Sequence, residues 1–148
     1  MASNPQIAQG TLNRLRGSVV VPNYPALQVT APFLARAAIS ISFDGEATTM
    51  IPTMTGTVTS PMPYQLTTTT INLLRTQSLA SLWETQRQTN SAIGDITVTP
   101  DTTTLPPYTF INCAITNVRE LGFAGDDASF VVTVVGYYPI NNSLWNLI

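Results

Sequence analysis

A mainly β domain is the fold class this sequence predicts: a β-sandwich or partly closed β-barrel of six to seven strands, with one covering α-helix and a long hairpin loop. Three observations predict it. Threonine, whose branched Cβ favours extended backbone, fills 23 of 148 positions. Short segments with apolar residues at every second position recur along the chain, each closed by Pro, Gly, Asn or Asp. One segment spaces its apolar residues by three and four, the period of a helix. At 16.0 kDa the chain fits one domain, so residues 1–148 are read as a single unit.

Residues 1–16 carry small and amide side chains, with Arg14 and Arg16 as their only charges and no period. They read as an N-terminal arm that stays disordered until a partner orders it. Gly17–Pro22 reads as a short strand stopped by Pro22, with a turn at Asn23–Pro25. In Arg36–Phe43, Ile39, Ile41 and Phe43 share one face and Ser40 and Ser42 the other, which is a half-buried strand.

The Asp44-Gly45 dipeptide then turns the chain. From Glu46 to Tyr64 there are three Met, three Pro, many Thr and no charge after Glu46. Alternation in Ala47–Met50 and Gly56–Ser60 predicts an extended, hairpin-like excursion over residues 44–64. A two-stranded ribbon is marginal alone in water. Either it projects onto a neighbour, which Met50, Met54 and Met62 would suit because Met adapts to irregular surfaces, or it folds back on its own core.

Residues 70–88 are read as the helix. Ile71, Leu74, Ser78, Leu79, Leu82 and Trp83 build its apolar stripe, and Arg75, Gln77, Glu84, Gln86 and Arg87 lie largely off it. Thr69 or Thr70 serves as N-cap, and Thr89–Ser91 with Gly94 end the helix. Such a helix covers an open face or end of the sheet, with Trp83 packed at the contact.

Three further strands follow. Ile93–Thr99 is bounded by Pro100 and Asp101, and a Thr-rich loop runs on to Pro106-Pro107. Tyr108–Arg119 is the longest strand, with Ile111, Cys113 and Ile115 on one side and Phe110, Ala114 and Val118 on the other, so both faces read as covered. After a turn at Gly125–Asp127, Ala128–Tyr138 sends Phe130, Val132 and Val134 one way and Val131, Val135 and Tyr137 the other. Pro139 and Asn141-Asn142 end it, and Ser143–Ile148 is left as a short apolar tail.

Composition removes whole classes of chemistry. Only 9% of residues are charged, six Arg and no Lys against eight Asp plus Glu, where soluble domains carry roughly 25%. Without His there is no Ser/His/Asp triad, Cys/His dyad or His-ligated metal. A single cysteine, Cys113, precludes an intrachain disulfide or a Cys-cluster metal site and reads as a small core residue. Absence of Lys removes the Walker lysine and Schiff-base chemistry. Net charge −2 with scattered Arg offers no basic stripe for nucleic acid. No apolar run approaches the roughly 20 residues of a membrane-spanning helix, and Met1–Gln6 lacks the regions of a signal peptide, so synthesis and assembly in a cytoplasm are expected.

The acidic pairs Asp44/Glu46 and Asp126/Asp127 sit in turns, where such residues serve turn geometry, and neither matches an EF-hand spacing. No catalytic residue, cofactor or metal ligand is therefore assigned. Low charge, abundant Thr, an uncharged excursion, an arm and a tail bearing Trp145 instead describe surface made to be covered by other protein.

The order of these elements resembles the tail tube proteins of contractile-tailed bacteriophages and the related secretion-system tubes. Carrying the resemblance are Arg14–Val21, the excursion Asp44–Tyr64, the helix over 70–88 and Phe130–Tyr137. It spans nearly the whole chain and rests on element order and composition. The resemblance implies a structural virion protein, not an enzyme, whose subunits form hexameric rings stacked into the inner tube of a phage tail, assembled in the host cytoplasm. Its implied partners are further copies of itself, a sheath protein, a baseplate or tube initiator, a tail terminator and a tape-measure protein. DNA would pass through the lumen without specific binding, and no membrane is involved.

Carried onto this chain, residues 44–64 are the stacking loop and residues 1–16 the inter-ring arm. Arg14, Arg16, Met50, Met54, Met62 and Tyr64 are the inter-ring contacts so implied. Asp44, Glu46, Asp95, Asp101, Asp126 and Asp127 are the lumen acids. Six copies at −2 give about −12 per ring, which repels phosphate. A tube initiator or terminator, or a ring-forming secretion-system tube protein, shares the fold and is the alternative. An exported fimbrial-type β subunit is a further one, which would need an export signal.

Overall fold

Five Thr and Ile residues in a row, Thr67–Ile71, lose side-chain freedom in a helix and pack well on a pleated surface. The computed structural model, which describes residues 9–119 and 121–145, places them in the middle of a strand. The elements in chain order are β1 (Ser18–Val20), β2 (Leu34–Asp44), β3 (Thr48–Pro52), β4 (Thr57–Pro61), β5 (Tyr64–Leu74), α1 (Ser78–Thr89), β6 (Ala92–Thr99), β7 (Tyr108–Val118) and β8 (Ser129–Pro139). Two 3₁₀ turns, Pro25–Leu27 and Ala31–Phe33, link β1 to β2, and a single helical turn, Asn142–Trp145, follows β8.

Six strands form one antiparallel sheet in the order β1-β6-β7-β8-β5-β2, curled into a half-barrel, while β3 and β4 pair only with each other. The mainly β, partly closed barrel with one covering helix is thus the fold, with eight strands among the described residues against the six to seven read from sequence. The core lies on the inner face of the curl. Val19, Ile71, Leu73, Ile96, Phe110, Phe130, Val132 and Val134 fill it, and α1 closes it with Leu79, Ala80 and Trp83. Trp83 is 1% exposed, and burying a side chain of that size contributes on the order of 3 kcal/mol.

The helix is shorter than its sequence reading. Residues 70–74 belong to β5, hydrogen-bonded to β2 on one side and β8 on the other, and helical backbone begins only at Ser78. Neither Thr69 nor Thr70 caps it; Gln77 precedes it with no side-chain cap. Ile71 is buried from the strand, whereas Leu82, assigned to the same apolar stripe, is 44% exposed. Gly94 ends no helix: it sits within β6 at φ +77°, where a Cβ would collide with the Asn23 side chain.

In β8 the inner residues are Phe130, Val132 and Val134, as the alternation predicts. In β7 the alternation breaks. Asn112 takes φ 54°, and the ladder to β8 skips from Ile111↔Tyr137 to Ala114↔Val135, so Asn112 and Cys113 oppose the single residue Gly136. This bulge turns Cys113 and Ile115 onto the same inner face as Phe110, correcting the reading that set Phe110 opposite them.

The two edges of the sheet differ. Val29 bridges the outer side of β1, with Val29 N–H donating to Val19 O at 2.8 Å and Val19 N–H to Val29 O at 3.0 Å. Strand β2 pairs only with β5, so its other side is an open edge among the described residues.

Candidate assembly surface

Strand pairing assigns every connection to one of two ends. The start of β1, end of β2, start of β5, end of β6, start of β7 and end of β8 meet at one, here the arm end. The β7–β8 turn and the start of α1 lie at the other, the turn end. Consequently the arm, the β3–β4 hairpin and the C-terminal helical turn all leave the sheet from the arm end.

Between the two readings of residues 44–64, the structure has the ribbon projecting. Strands β3 and β4 form their own two-stranded sheet, and Met50, Ile51 and Val58 are exposed along it. Met54, at its tip, is fully exposed. Its base is fixed by Asn141, at φ 54°, whose Nδ2 donates to Ala47 O at 3.1 Å and Met62 O at 2.8 Å. Met62 N–H also donates to Ala47 O at 2.9 Å. Met62 is half-buried at this base, and Tyr64 is exposed at the start of β5, edge-on to Tyr137 at 5.5 Å.

The described part of the arm, residues 9–16, runs beside the loop after β6. Asn13 N–H donates to Asp101 O at 3.0 Å, and the Arg16 guanidinium to Thr102 O. Leu12 and Leu15 remain exposed. Residues 1–8 and 146–148, the rest of the expected arm and tail, lie outside the described residues.

Arg14 lines a cleft of about 740 Å³ along the seam between β2 and the β6–β7 end of the sheet. Leu34, Ile39, Ile41, Phe43, Val98, Leu105 and Tyr108 give it apolar walls, with Arg36 and Asp101 also on it. Its floor joins an aromatic cluster in which Phe43, Tyr108, Phe110 and Tyr138 contact one another at centroid distances from 5.6 to 6.3 Å.

The six acids do not form one cluster. Asp44 ends β2, accepting from Thr68 Oγ1 at 3.0 Å, with Glu46 exposed in the next turn and Asp101 at the same arm end. Asp95 stands exposed on β6, its Oδ1 accepting from Asn112 N–H at 3.2 Å across the bulge. Asp126 and Asp127 are at the turn end. There Asp127 accepts from Ser129 N–H and Ser129 Oγ at 3.0 Å each, which holds its carboxyl below the usual range.

The outer face of the sheet is rich in hydroxyls. Ser40↔Thr70, Ser42↔Thr68, Thr70↔Thr133 and Thr97↔Thr109 are cross-strand neighbours there. Among the described residues no group of three or more Cys, Asp or Glu is placed to hold a metal ion. No helix among them is long and apolar enough to cross a membrane.

Several of these features were not legible in the sequence. Asn141 reads there as a strand terminator, and nothing marks it as the clasp of a hairpin some 80 residues earlier. Phe123 lies in a stretch to which the sequence assigns no element or role. In the structure it is 79% exposed with the Arg75 guanidinium 5.5 Å above its ring.

No protein-family model and no curated protein matches the chain. Among solved structures, it is similar to one described as the tube-terminating cap of the anti-feeding prophage, at 16% identity and a TM-score of 0.49, covering 92% of this chain and 96% of that one.

Proposed function

We propose that this protein is a structural subunit of a phage-like contractile tail, forming stacked, hexameric rings of an inner tube that serves as a DNA conduit. The observation that carries this reading is the projecting hairpin: an uncharged, Met-bearing ribbon clasped at its base and leaving the sheet beside the arm. Such a ribbon is marginal in water and gains stability by lying on a neighbour. Arg14, Met50, Met54 and Tyr64, exposed at the arm end, are then contacts to the adjacent ring, with Arg16 and Met62 anchoring the arm and the hairpin base.

In this reading the hydroxyl-rich outer face turns to the lumen. Asp44 and Asp95 on it, with Glu46 and Asp101 near its end, repel phosphate. Asp126 and Asp127, at the turn end, are better placed to meet a neighbouring ring. The sheath, baseplate, terminator and tape-measure partners belong to this proposal, as does assembly in the host cytoplasm.

A terminator of the same tube is the second reading. It is favoured by the asymmetry of the molecule, whose projecting hairpin and arm leave from one end only. Negative-stain electron microscopy across a concentration series tests both. Hollow tubes of uniform width support the tube subunit, single rings that never stack support the terminator, and monomers at every concentration overturn the self-assembly reading. Met54→Asp is expected to abolish stacking while leaving the circular dichroism spectrum unchanged.

A further inference from the structure

The turn-end loop Leu121–Asp127 is unusually well built for an exposed segment. Arg75, at the end of β5, donates to Gly122 O and Asp127 O and lies over the Phe123 ring. Asp127 caps Ser129. The loop therefore presents Phe123 outward from a fixed backbone, and the carboxylate of Asp126 beside it has no hydrogen-bond or ion-pair partner among the described residues. A preorganised, exposed aromatic next to an unpaired charge is the composition of an interface anchor.

The seam cleft has the complementary chemistry. Its walls are apolar, and Arg14 and Arg36 line it without a hydrogen-bond or ion-pair partner among the described residues; with Asp101 also on the lining, one positive charge remains in excess. The loop cannot fill the seam of its own chain, because β7 and β8 are the central pair of the sheet and the seam lies along β2 at its far edge.

We propose that Leu121–Asp127 of one copy docks in the β2 seam of the next, with Phe123 seated on the apolar walls and Asp126 facing Arg14 and Arg36. This contact joins unlike surfaces of identical chains and so propagates as an open stack instead of closing on itself. It rests on the self-assembly reading above and supplies the second, complementary end that a tube subunit needs and a terminator lacks.

The test separates loop from seam. Phe123→Asp removes the loop anchor and leaves the seam intact; Arg36→Glu repels Asp126 and leaves the loop intact. Each variant is expected to need at least tenfold more protein than wild type to form stacks, by sedimentation velocity and negative stain. A 1:1 mixture is expected to give species of twice the mass of the assembly that either variant forms alone, because one productive contact remains. Asp126→Arg combined with Arg36→Glu is expected to restore stacking. Native circular dichroism of each variant controls for folding; Asp126→Arg, in an exposed turn, replaces Phe123→Asp if that variant fails it, and Arg14→Glu replaces Arg36→Glu. Wild-type stacks with variants that stack equally well, or a mixture that shows no new species, overturn the loop-to-seam contact while the assembly reading stands. Wild type that never assembles overturns both.

Discussion

Cys113 occupies the space that a side chain on Gly136 would need. A Cβ built at Gly136 lies 3.0 Å from Ile111 O, 3.3 Å from Cys113 Cβ and closer still to Cys113 Sγ. On the other side Cys113 pairs with Gly94 of β6. The β7 bulge brings the sulfur inward against Gly136, where it takes the place of the missing side chain, whereas a Cβ at Gly94 would meet Asn23 instead.

Gly136→Ala is accordingly expected to destabilise the fold by about 2 kcal/mol, the usual cost of overpacking a filled core. Adding Cys113→Ala to the same chain recovers part of the loss. Urea denaturation of Gly136→Ala, Cys113→Ala and the double variant measures both, and an additive double variant would remove the steric explanation.

Thr67 pairs with Phe43 on one side and Gly136 on the other, and its Oγ1 is buried with no hydrogen-bond partner among the described residues. A buried hydroxyl without a partner costs free energy that an isosteric methyl does not. Thr67→Val is expected to stabilise by about 1 kcal/mol, which raises Tm by about 3 °C. Calorimetry reads the shift, and a lower Tm would show that the hydroxyl is satisfied.

Burial pushes the Cys113 thiol up to about 11, with Asp95 adding to the rise and a backbone hydrogen bond from Ile96 opposing it. A thiol whose folded value is raised stabilises fully below its unfolded value of about 8.5 and loses that contribution as pH rises through the folded value. Unfolding free energy should therefore fall more steeply between about pH 8.5 and 11 for wild type than for Cys113→Ala. At neutral pH the native thiol should resist iodoacetamide and react only on unfolding.

Asn141→Gly keeps the positive φ and removes the amide that clasps the hairpin. Exchange of the Met62 amide should rise about tenfold, and global stability should stay within about 0.5 kcal/mol of wild type. Hydrogen exchange by mass spectrometry distinguishes this local loosening from general unfolding.

Strands bounded by turn residues were legible because period-two alternation and Pro or Gly boundaries are local signals. Phe130, Val132 and Val134 in β8 follow that rule, and so does the projecting ribbon of residues 44–64. The failures are non-local. Ile71, Leu74 and Ser78 fall at helical spacing, yet pairing of β5 with β2 and β8 decides the backbone of the first two. The side of β7 on which Cys113 lies depends on one left-handed residue, Asn112, which alternation cannot register. Of the candidate surface, the uncharged hairpin and the arm could be named from sequence. The seam, the aromatic cluster beneath it and the Arg75–Phe123 loop could not, because each is assembled from segments distant in the chain.

The hairpin shares no side chain with the buried core and is joined to the rest of the chain by a short base that the Asn141 amide clasps. Folding and recognition are thus written in separate parts of the sequence. Substitutions between Thr48 and Pro61 change what the ribbon fits without taxing the stability of the barrel, so a lineage can redraw its contacts there, residue by residue, while the scaffold beneath stays the same.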